Sequence, residues 1–483
     1  VDSIENVNNA FMDIAYHPIK QKDKKQIQRH IKLADCQGFM SHVRAAQLSL
    51  VPVPVADVKV QKNTEYRLTS SQSTDNSIVF LSNDSFPTHC KIAPTGISRP
   101  KIVNIRGENG RTYKLLVKSG DDLRQDAVME QLFVLVNELL ESDEETRKRN
   151  LRLRTYKVLP LSPDAGIIEW VERTMAIGEY LHGLGNTAFV QSAHGRHNTA
   201  SHCRSYLDIV MKLKALADKK GSSKRLDKIS ARGGREDDSQ LSLYEDMCKC
   251  FPPVFHHFFF EMFHDPAIWY QRRLSYTRSV AVNSIVGYIM GIGDRHTQNI
   301  LIDKLSAELI HIDFGITFEQ GKTLRIPELV PFRLTPDIVD GMGVTGTKGV
   351  FEGCCEYTLK VLKDNSEVLL TICEVFIHDP LYDWAVSPLK VEKAQPGDSN
   401  EDQITKTRAR SHSFRKESHT ERDVDTTTRE AERTLIRLHQ KLQGYEDPTG
   451  KSFSVNGQVK YLIKEASNPE TLCKMYYGWS PFV

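Results

Sequence analysis

Between Ile289 and Phe318, short apolar runs are broken by a fixed set of polar residues. The stretch reads I-M-G-I-G-D-R-H-T-Q-N-I-L-I-D, then a six-residue turn and strand lead-in, then I-H-I-D-F-G-I-T-F. The runs Asn299–Ile302 and Leu309–Ile312 have the length of short buried strands. Burying them holds the polar residues at their ends in fixed places. Asp294 and Asn299 are five apart, and Asp313 follows Asn299 by fourteen.

The bulk of the chain sets bounds on what can surround this stretch. Its 483 residues exceed one ordinary core, so two or more lobes are expected. A composition of 40% hydrophobic and 26% charged residues is globular, and a net charge of +2 gives no reason to invoke nucleic acid or membrane. The nine cysteines follow no zinc spacing and read as reduced and intracellular. The opening V-D-S-I-E-N has neither a basic nor an apolar leader, so no signal peptide is expected. The most apolar window, Phe251 to Phe263, is broken by two histidines and a glutamate. It is far too short for a membrane span and reads as a buried, largely helical segment. A chain starting inside a helical pattern suggests a piece of something longer.

Taken in order, residues 1 to about 50 read as helical, with Ile19 to Leu50 rich in Lys, Gln, Ala and Leu. V-P-V-P-V-A-D-V-K-V (51–60) reads as an extended connector. Short strands follow at 78–81, 90–92, 101–105 and 112–118, with turns rich in Gly, Asn, Ser and Pro, so a small antiparallel sheet is predicted. Asp122 to Leu140 has helical spacing; 155–161 and 166–171 read as strands. Further on, the pattern is mainly helical: 205–217, 241–263, 266–288, 335–340, 349–362, 366–376 and 381–384. A polar loop is expected at 218–240. Lys393 to Arg429 is polar and reads as mobile, and Glu430 to Leu442 as an amphipathic helix. The last segment ends in M-Y-Y-G-W-S-P-F-V, too aromatic to leave in water, so it is expected to dock onto a lobe.

Phosphoryl transfer needs a cation for phosphates, oxygen ligands for magnesium, and a group that orients the acceptor hydroxyl. Asn299 and Asp313 are oxygen donors suited to magnesium. Asp294 stands at the interval that protein-kinase catalytic loops keep between base and metal-holding asparagine. His296 can polarise the acceptor or stabilise charge on the transferring group; Arg295 pins the loop. Alone, G-D-R-H-T-Q-N would pass for a surface turn. The I-D-F-G motif and the flanking apolar strands argue against that.

Lys118 ends the apolar strand Y-K-L-L-V-K and is the candidate phosphate-binding lysine. Asp121, Asp122 and Asp126 are the acids near it, Asp126 being able to pair with it from the next helix. Lys114 is a weaker rival on the same strand. In I-I-E-W-V, Trp170 can stack on a base or be plain core. G-M-G-V-T-G (341–346) matches a dinucleotide-binding pattern but lacks the preceding strand and the later acid, so it reads as a turn between helices. No G-x-x-x-x-G-K-[ST] occurs, which excludes a P-loop hydrolase. His256 and His257 read as core or interface residues.

Several long motifs, in order, carry a resemblance: L-V-K-S-G-D-D-L-R-Q-D, D-P-A-I-W-Y-Q-R-R-L-S-Y-T-R-S-V-A, G-D-R-H-T-Q-N, H-I-D-F-G, V-P-F-R-L-T-P-D-I-V-D-G-M-G-V-T-G, D-P-L-Y-D-W and Y-Y-G-W-S-P-F-V. Together they resemble the phosphatidylinositol 3-kinase-related protein kinases, closest to the ataxia-telangiectasia-mutated branch. The likeness covers about 51–392 and 451–483. It implies an α+β, two-lobed protein-kinase-like fold of the PI3/PI4-kinase type, with a small sheet-containing N-lobe, a larger mainly helical C-lobe and helical extensions at both ends. The implied organisation is 1–50 the end of a FAT-type helical domain and linker, 51–172 the N-lobe, 173–392 the C-lobe, 393–450 a partly disordered regulatory insertion, and 451–483 the FATC tail.

The resemblance also implies roles. Lys118 binds the ATP phosphates, with Asp121 and Asp126 the acids near it and Asp126 pairing with it; Trp170 and Val171 hold adenine. Asp294 and His296 face the substrate hydroxyl, in the reversed order Asp-Arg-His. Asn299 and Asp313 hold Mg2+ or Mn2+, and 315–335 is the activation loop. The implied activity is ATP-dependent phosphorylation of Ser/Thr-Gln sites in proteins of the nuclear DNA-damage checkpoint. A DNA-break sensor complex is the implied activator and a homodimer the implied full-length state, with no direct nucleic-acid site and no membrane contact in this part. Two rivals are a phosphoinositide lipid kinase and a catalytically silent kinase-fold scaffold. The first is disfavoured because Lys322 and Arg325 are the only cations between Gly315 and Pro331, against Glu319 and Glu328. The second is disfavoured because Lys118, Asp294, Asn299 and Asp313 are all intact.

Overall fold

A computed structural model describes residues 1–19, 21–23, 26–27, 29–56, 78–93, 99–183, 191–198, 234–377, 395, 421–446 and 452–483. They form two compact units, Val1–Leu132 with Thr155–Glu172, and Phe133–Arg154 with Arg173–Val483.

The first unit is built on an antiparallel sheet. After helix α1 (Asp2–Tyr16) come β1 (Gln21–Asp23), β2 (Gln26–Ile27) and β3 (His30–Lys32), then α2 (Phe39–Ala45). Strands β4 (His89–Ile92), β5 (Lys101–Arg106), β6 (Thr112–Ser119), β7 (Val158–Ser162) and β8 (Ala165–Glu169) complete it. The six-stranded order is β3-β4-β5-β6-β8-β7. Alternation decides which face is core. Val103, Ile105, Leu115 and Val117 are fully buried and share one hydrophobic cluster with Phe11 and Ile14 of α1. Lys114, Leu116 and Lys118 therefore lie on the other face of β6. Helix α3 (Arg124–Ser142) follows β6, and its residues from Phe133 onward belong to the second unit.

The second unit is mainly helical. It holds α4 (Glu144–Lys148), a three-stranded sheet of β9 (Thr174–Ala176), β10 (Ile300–Asp303) and β11 (Leu309–His311), and α5 (Ile177–His182), α6 (Ala193–His197), α7 (Gly234–Cys250) and α8 (His256–Met262). Its axis is α9, Pro266–Met290. The Asp265 carboxylate accepts the Ala267 and Ile268 amides at 2.9 and 3.0 Å, and Pro266 opens the helix. From Val280 to Met290 every residue of α9 is buried. Gly291 ends it in the left-handed conformation, φ 63°, which turns the chain into the Gly293–Asn299 loop. A side chain at Gly291 would also run into the Glu319 backbone. Helices α10 (Pro336–Asp340), α11 (Val350–Asp364), α12 (Ser366–Ile377), α13 (Glu421–Gln443), α14 (Val455–Ala466) and α15 (Pro469–Leu472) follow. The aromatic tail docks as expected: Trp479, Phe482 and Val483 are buried.

Several sequence expectations change. The strand expected at 78–81 is present only as isolated bridges at Phe80 and Leu81. Ile19 to Leu50 is not one helical stretch, because β3 pairs with β4 at Ile31↔Cys90. A three-residue strand with a single buried apolar residue, Ile31, carries no period to read, and its partner is far away in sequence. The polar loop at 218–240 gives way to α7 from Gly234, and the mobile reading of Lys393 to Arg429 to α13 from Glu421. Strand β9 was not anticipated. The helices expected at 205–217 and 381–384 lie outside the described residues. The G-M-G-V-T-G segment is a turn between α10 and α11, as expected. The eight described cysteines are free thiols, and no described helix is long and apolar enough to cross a membrane.

Glu130 of α3 has a consequence for stability. Its side chain is buried, one oxygen accepting the Tyr156 amide at 3.0 Å and the other unpartnered. Burial pushes its carboxyl up to about 9, the Tyr156 amide opposing and Asp126 and Glu169 adding to the rise. The folded unit thus keeps a proton that the unfolded chain releases near pH 4.5, so stability declines as pH rises between those values, by at most about 1.4 kcal/mol per pH unit. Glu130→Gln keeps an acceptor for Tyr156. It is expected to raise the unfolding temperature at pH 8 and leave it unchanged near pH 4.5. A thermal-unfolding series across pH checks this, and an equal shift at both ends would refute it.

Candidate active site

In the first unit, Lys118 pairs with Gly166 in the β6–β8 ladder. Its Nζ stands 2.6 Å from Asp121 Oδ2, both side chains mostly buried. The strand end is fixed from behind, where Ser119 Oγ donates to the Ala15 carbonyl at 2.8 Å. Asp122 caps the start of α3, accepting the Arg124 amide at 3.0 Å and pairing with its guanidinium. Asp126 is buried in the first turn of α3. Trp170 follows β8, its amide donating to the Lys114 carbonyl at 3.0 Å, and Val171 comes next. Lys114 Nζ lies 3.7 Å from the centre of the Trp170 ring, a cation on an aromatic face. Lys118 and Lys114 are therefore distinguished by partner: a carboxylate for one, an indole for the other.

In the second unit, the loop after α9 carries Asp294, His296 and Asn299. Asp294 has φ 56° and Asp313 φ 61°. Aspartate is among the few residues that enter this region at all, and such backbone is held only where the surroundings over-determine it. Here they do. The Asp294 amide donates to both Glu328 oxygens at 2.9 Å. Asn299 Nδ2 donates to the Asp294 carbonyl at 3.0 Å, which leaves Oδ1 as the atom of that amide able to ligate a cation. Gly293 has no room for a side chain: a Cβ would fall 2.7 Å from a Glu328 oxygen.

Arg295 ties this loop to the second motif. Nε donates to the Gly293 carbonyl and Nη1 to the Ile312 carbonyl, each at 2.8 Å, and Nη2 donates to the Asp313 carbonyl. The neighbouring Phe314 is fully buried and meets Phe133 edge to face at 5.2 Å. Asp313 leaves its own carboxylate exposed, one oxygen accepting the Gly315 amide at 3.3 Å. The structure thus brings Asp294, Asn299 and Asp313 together around one guanidinium.

Electrostatics set the protonation of the loop. Burial raises Asp294 to about 7, Arg295 opposing and Glu328 and Asp313 adding to the rise. Burial raises Glu328 as well. His296 is lowered to about 4, by burial first and the Arg295 charge second. Its Nδ1 accepts the Gln298 amide at 3.1 Å, which places the proton of the neutral ring on Nε2. The site therefore offers a neutral imidazole donor, a carboxyl poised near neutrality, and the oxygens of Asn299 and Asp313. Among the described residues no group of three or more His, Cys, Asp or Glu could hold a metal ion. That donor set fits magnesium, which keeps several waters and takes oxygens from a bound phosphate.

The residues that sequence reasoning missed are Glu328 and Arg333. Both lie in the P-E-L-V-P-F-R-L-T segment, readable as a motif but not as partners of the loop. Gln395 meets the residue just before that segment: its amide accepts the Ile326 N–H at 2.8 Å and donates to the Ile326 carbonyl at 2.7 Å.

Comparison with known proteins gives a consistent picture. The family described as phosphatidylinositol 3- and 4-kinase matches residues 112–386, and the FATC domain matches 452–483. Serine/threonine-protein kinase ATM of Arabidopsis thaliana is 41% identical over 485 residues, 97% of this chain and 11% of the relative. Serine-protein kinase ATM of Sus scrofa is 42% identical over 90% of this chain and 13% of the relative. Serine/threonine-protein kinase tel1 of Schizosaccharomyces pombe is 40% identical over 91% of this chain and 14% of its own length. The chain thus spans only 11% to 14% of these relatives. The solved structure titled FAT and kinase domain of CtTel1 covers the whole chain and 28% of its own, with a TM-score of 0.74 at 33% identity. The complete CtTel1 dimer with C2 symmetry covers the whole chain and 15% of its own, with a TM-score of 0.75 at 32% identity.

The Asp294–Glu328 contact makes a prediction. Glu328→Ala removes the acceptor of the Asp294 amide, an interaction worth about 1–3 kcal/mol. Hydrogen exchange at that amide is expected to accelerate about ten- to a hundredfold. Unchanged exchange would mean that Glu328 does not hold the loop.

Proposed function

We propose that this chain, which belongs to the phosphatidylinositol 3- and 4-kinase family and within it to the phosphatidylinositol 3-kinase-related protein kinases, carries the catalytic region of a serine/threonine protein kinase. Its two-lobed fold, with a small sheet-containing lobe and a larger helical one, is that of the Tel1 and ATM kinase region. The reaction is transfer of the ATP γ-phosphate to a serine or threonine hydroxyl. The observation that carries the reading is the loop in which Arg295 draws Asp294, Asn299 and Asp313 into one constellation.

Each residue has a part in the proposal. Lys118, held by Asp121, binds the phosphates, with Asp126 near the same helix start. Trp170 and Val171 hold the adenine. Asn299 Oδ1 and the Asp313 carboxylate hold magnesium, or manganese in its place. A cation held there would neutralise charge on the phosphates. Asp294, poised near 7, accepts the proton of the substrate hydroxyl. His296 donates from Nε2 to the transferring phosphoryl group, without the charge that would bind product too tightly. The domain limits follow the same reading: 1–50 the end of a FAT-type region, 51–172 and 173–392 the two lobes, 393–450 a regulatory insertion, 451–483 the FATC tail.

Lipid substrates fit less well. In the activation segment Lys322 is paired with Glu319, which leaves Arg325 as the remaining cation between Gly315 and Pro331. A phosphorylated head group needs more positive charge than that. A protein acceptor with Gln after the Ser or Thr is the proposed substrate, in the nuclear DNA-damage response. A homodimer is the proposed state of the longer protein, and a DNA-break sensor complex its activator.

Radiolabelled transfer from ATP with magnesium tests the reading. The acceptors are a Ser-Gln peptide, its Ser-Ala control and phosphatidylinositol vesicles. Label is expected in the Ser-Gln peptide, reduced at least about a hundredfold by Asp313→Ala. Label in the lipid would move the chain to the lipid kinases. Bound ATP without transfer to any acceptor, persisting after removal of residues 393–429, would make it a scaffold.

A further inference from the structure

Arg333 is a buried cation, 5% exposed, between the buried Phe332 and Leu334. Its guanidinium is met by main-chain oxygens of the C-terminal segment. Nη1 donates to the Trp479 carbonyl at 2.6 Å, and Nη2 to Ser480 at 2.7 Å and Val483 at 2.6 Å. The fold of the C-terminal segment makes this convergence possible. A 3-10 turn at Tyr477–Trp479 is followed by Ser480 at φ 54°, and the chain curls so that three oxygens point inward. The Trp479 ring covers the guanidinium, 4.4 Å from its central carbon.

The same Nη1 also donates to the Arg295 carbonyl at 3.4 Å, the longest of the four bonds. Arg295 is the residue whose own guanidinium holds Gly293, Ile312 and Asp313. The two arginines line one cavity of about 20 Å³, together with Asn283, Ser284 and His311. Beneath the loop the packing leaves this one small gap, and the directed bonds of the two arginines span it. An apolar side chain of similar size would fill the place of Arg333 but could not bind four main-chain oxygens. Burial lowers Arg333 to about 9, with Asp337 opposing, so it remains charged at neutral pH.

We infer that Arg333 is a positioning residue that joins the C-terminal segment to the phosphoryl-transfer loop through the Arg295 carbonyl. The inference rests on the kinase reading above and deepens it. The docked tail thereby fixes where Asp313 and Asn299 present their oxygens, with no atom of the tail touching the reacting groups. Loss of the bridge moves the loop without emptying the nucleotide site.

The test uses the natural full-length protein with Arg333→Lys and Arg333→Met. Arg333→Lys keeps the charge but cannot span four main-chain oxygens; Arg333→Met keeps bulk without donors. Three readouts are taken: kcat and the ATP KM, amide exchange over 293–299 and 312–315, and thermal unfolding. For Arg333→Lys, kcat is expected to fall about a hundredfold, the size of effect a small misplacement produces. The ATP KM stays within about threefold, exchange rises in those two segments while 276–290 stays protected, and the unfolding temperature holds. Arg333→Met shows the same pattern, more strongly. Wild-type kcat and exchange in both variants would overturn the inference. So would a general rise in exchange with a matching fall in unfolding temperature, which is a role in the fold alone. If the wild-type protein transfers no phosphate, the kinase reading fails, and local exchange over 293–299 and 312–315 still decides whether Arg333 holds the loop.

Discussion

A guanidinium that leaves water needs an acceptor for nearly every N–H it carries, and Arg295 finds them on the backbone of two separate motifs. That requirement shapes the site. The loop cannot relax without stranding buried donors, so Asp294 and Asp313 are kept in a left-handed backbone that neither would choose alone. What depends on Arg295 reaches outward in both directions: through Asp313 to the buried Phe314, and through its own carbonyl to Arg333. The side chains proposed to do the chemistry are presented by a residue that does none.

Burial acts on the site with one result from opposite movements. It raises the carboxyls of Asp294 and Glu328 and lowers the imidazole of His296, so each group is moved toward its neutral form. The Arg295 charge acts on both sides, opposing the rise of Asp294 and adding to the fall of His296. A loop with so little charge of its own makes few demands on its surroundings, and a cation with a polyphosphate would dominate the local field.

Much of this was legible before the structure. The polar residues between Ile289 and Phe318 sit at strand and helix ends, where periodicity breaks are easy to see, and their spacing is local. The short strand runs at 101–105 and 112–118, with turn residues between them, gave the sheet, and the helical pattern of 266–288 gave the body of the long helix. What stayed hidden was long-range. Strand β3 has one buried apolar residue, and Thr174–Ala176 is a strand only because Ile300–Asp303 lies beside it. Glu328 and Arg333 look like ordinary surface charges until their partners, 34 and 150 residues away at the extremes, are brought to them. No period or motif encodes such a meeting.

The first unit is assembled from two stretches of chain, Val1–Leu132 and Thr155–Glu172, with the intervening segment belonging to the second. Strand β8 pairs along β6, so the sheet that holds Lys118 lacks a central member until residue 169 has been added. Neither unit can be cut out as one uninterrupted length of polypeptide. During synthesis, β6 must wait for more than forty residues to emerge with one side unpaired, and a nascent chain stalled in that interval would expose a bare strand edge. The order of the message, and not only the final packing, decides when this sheet can close.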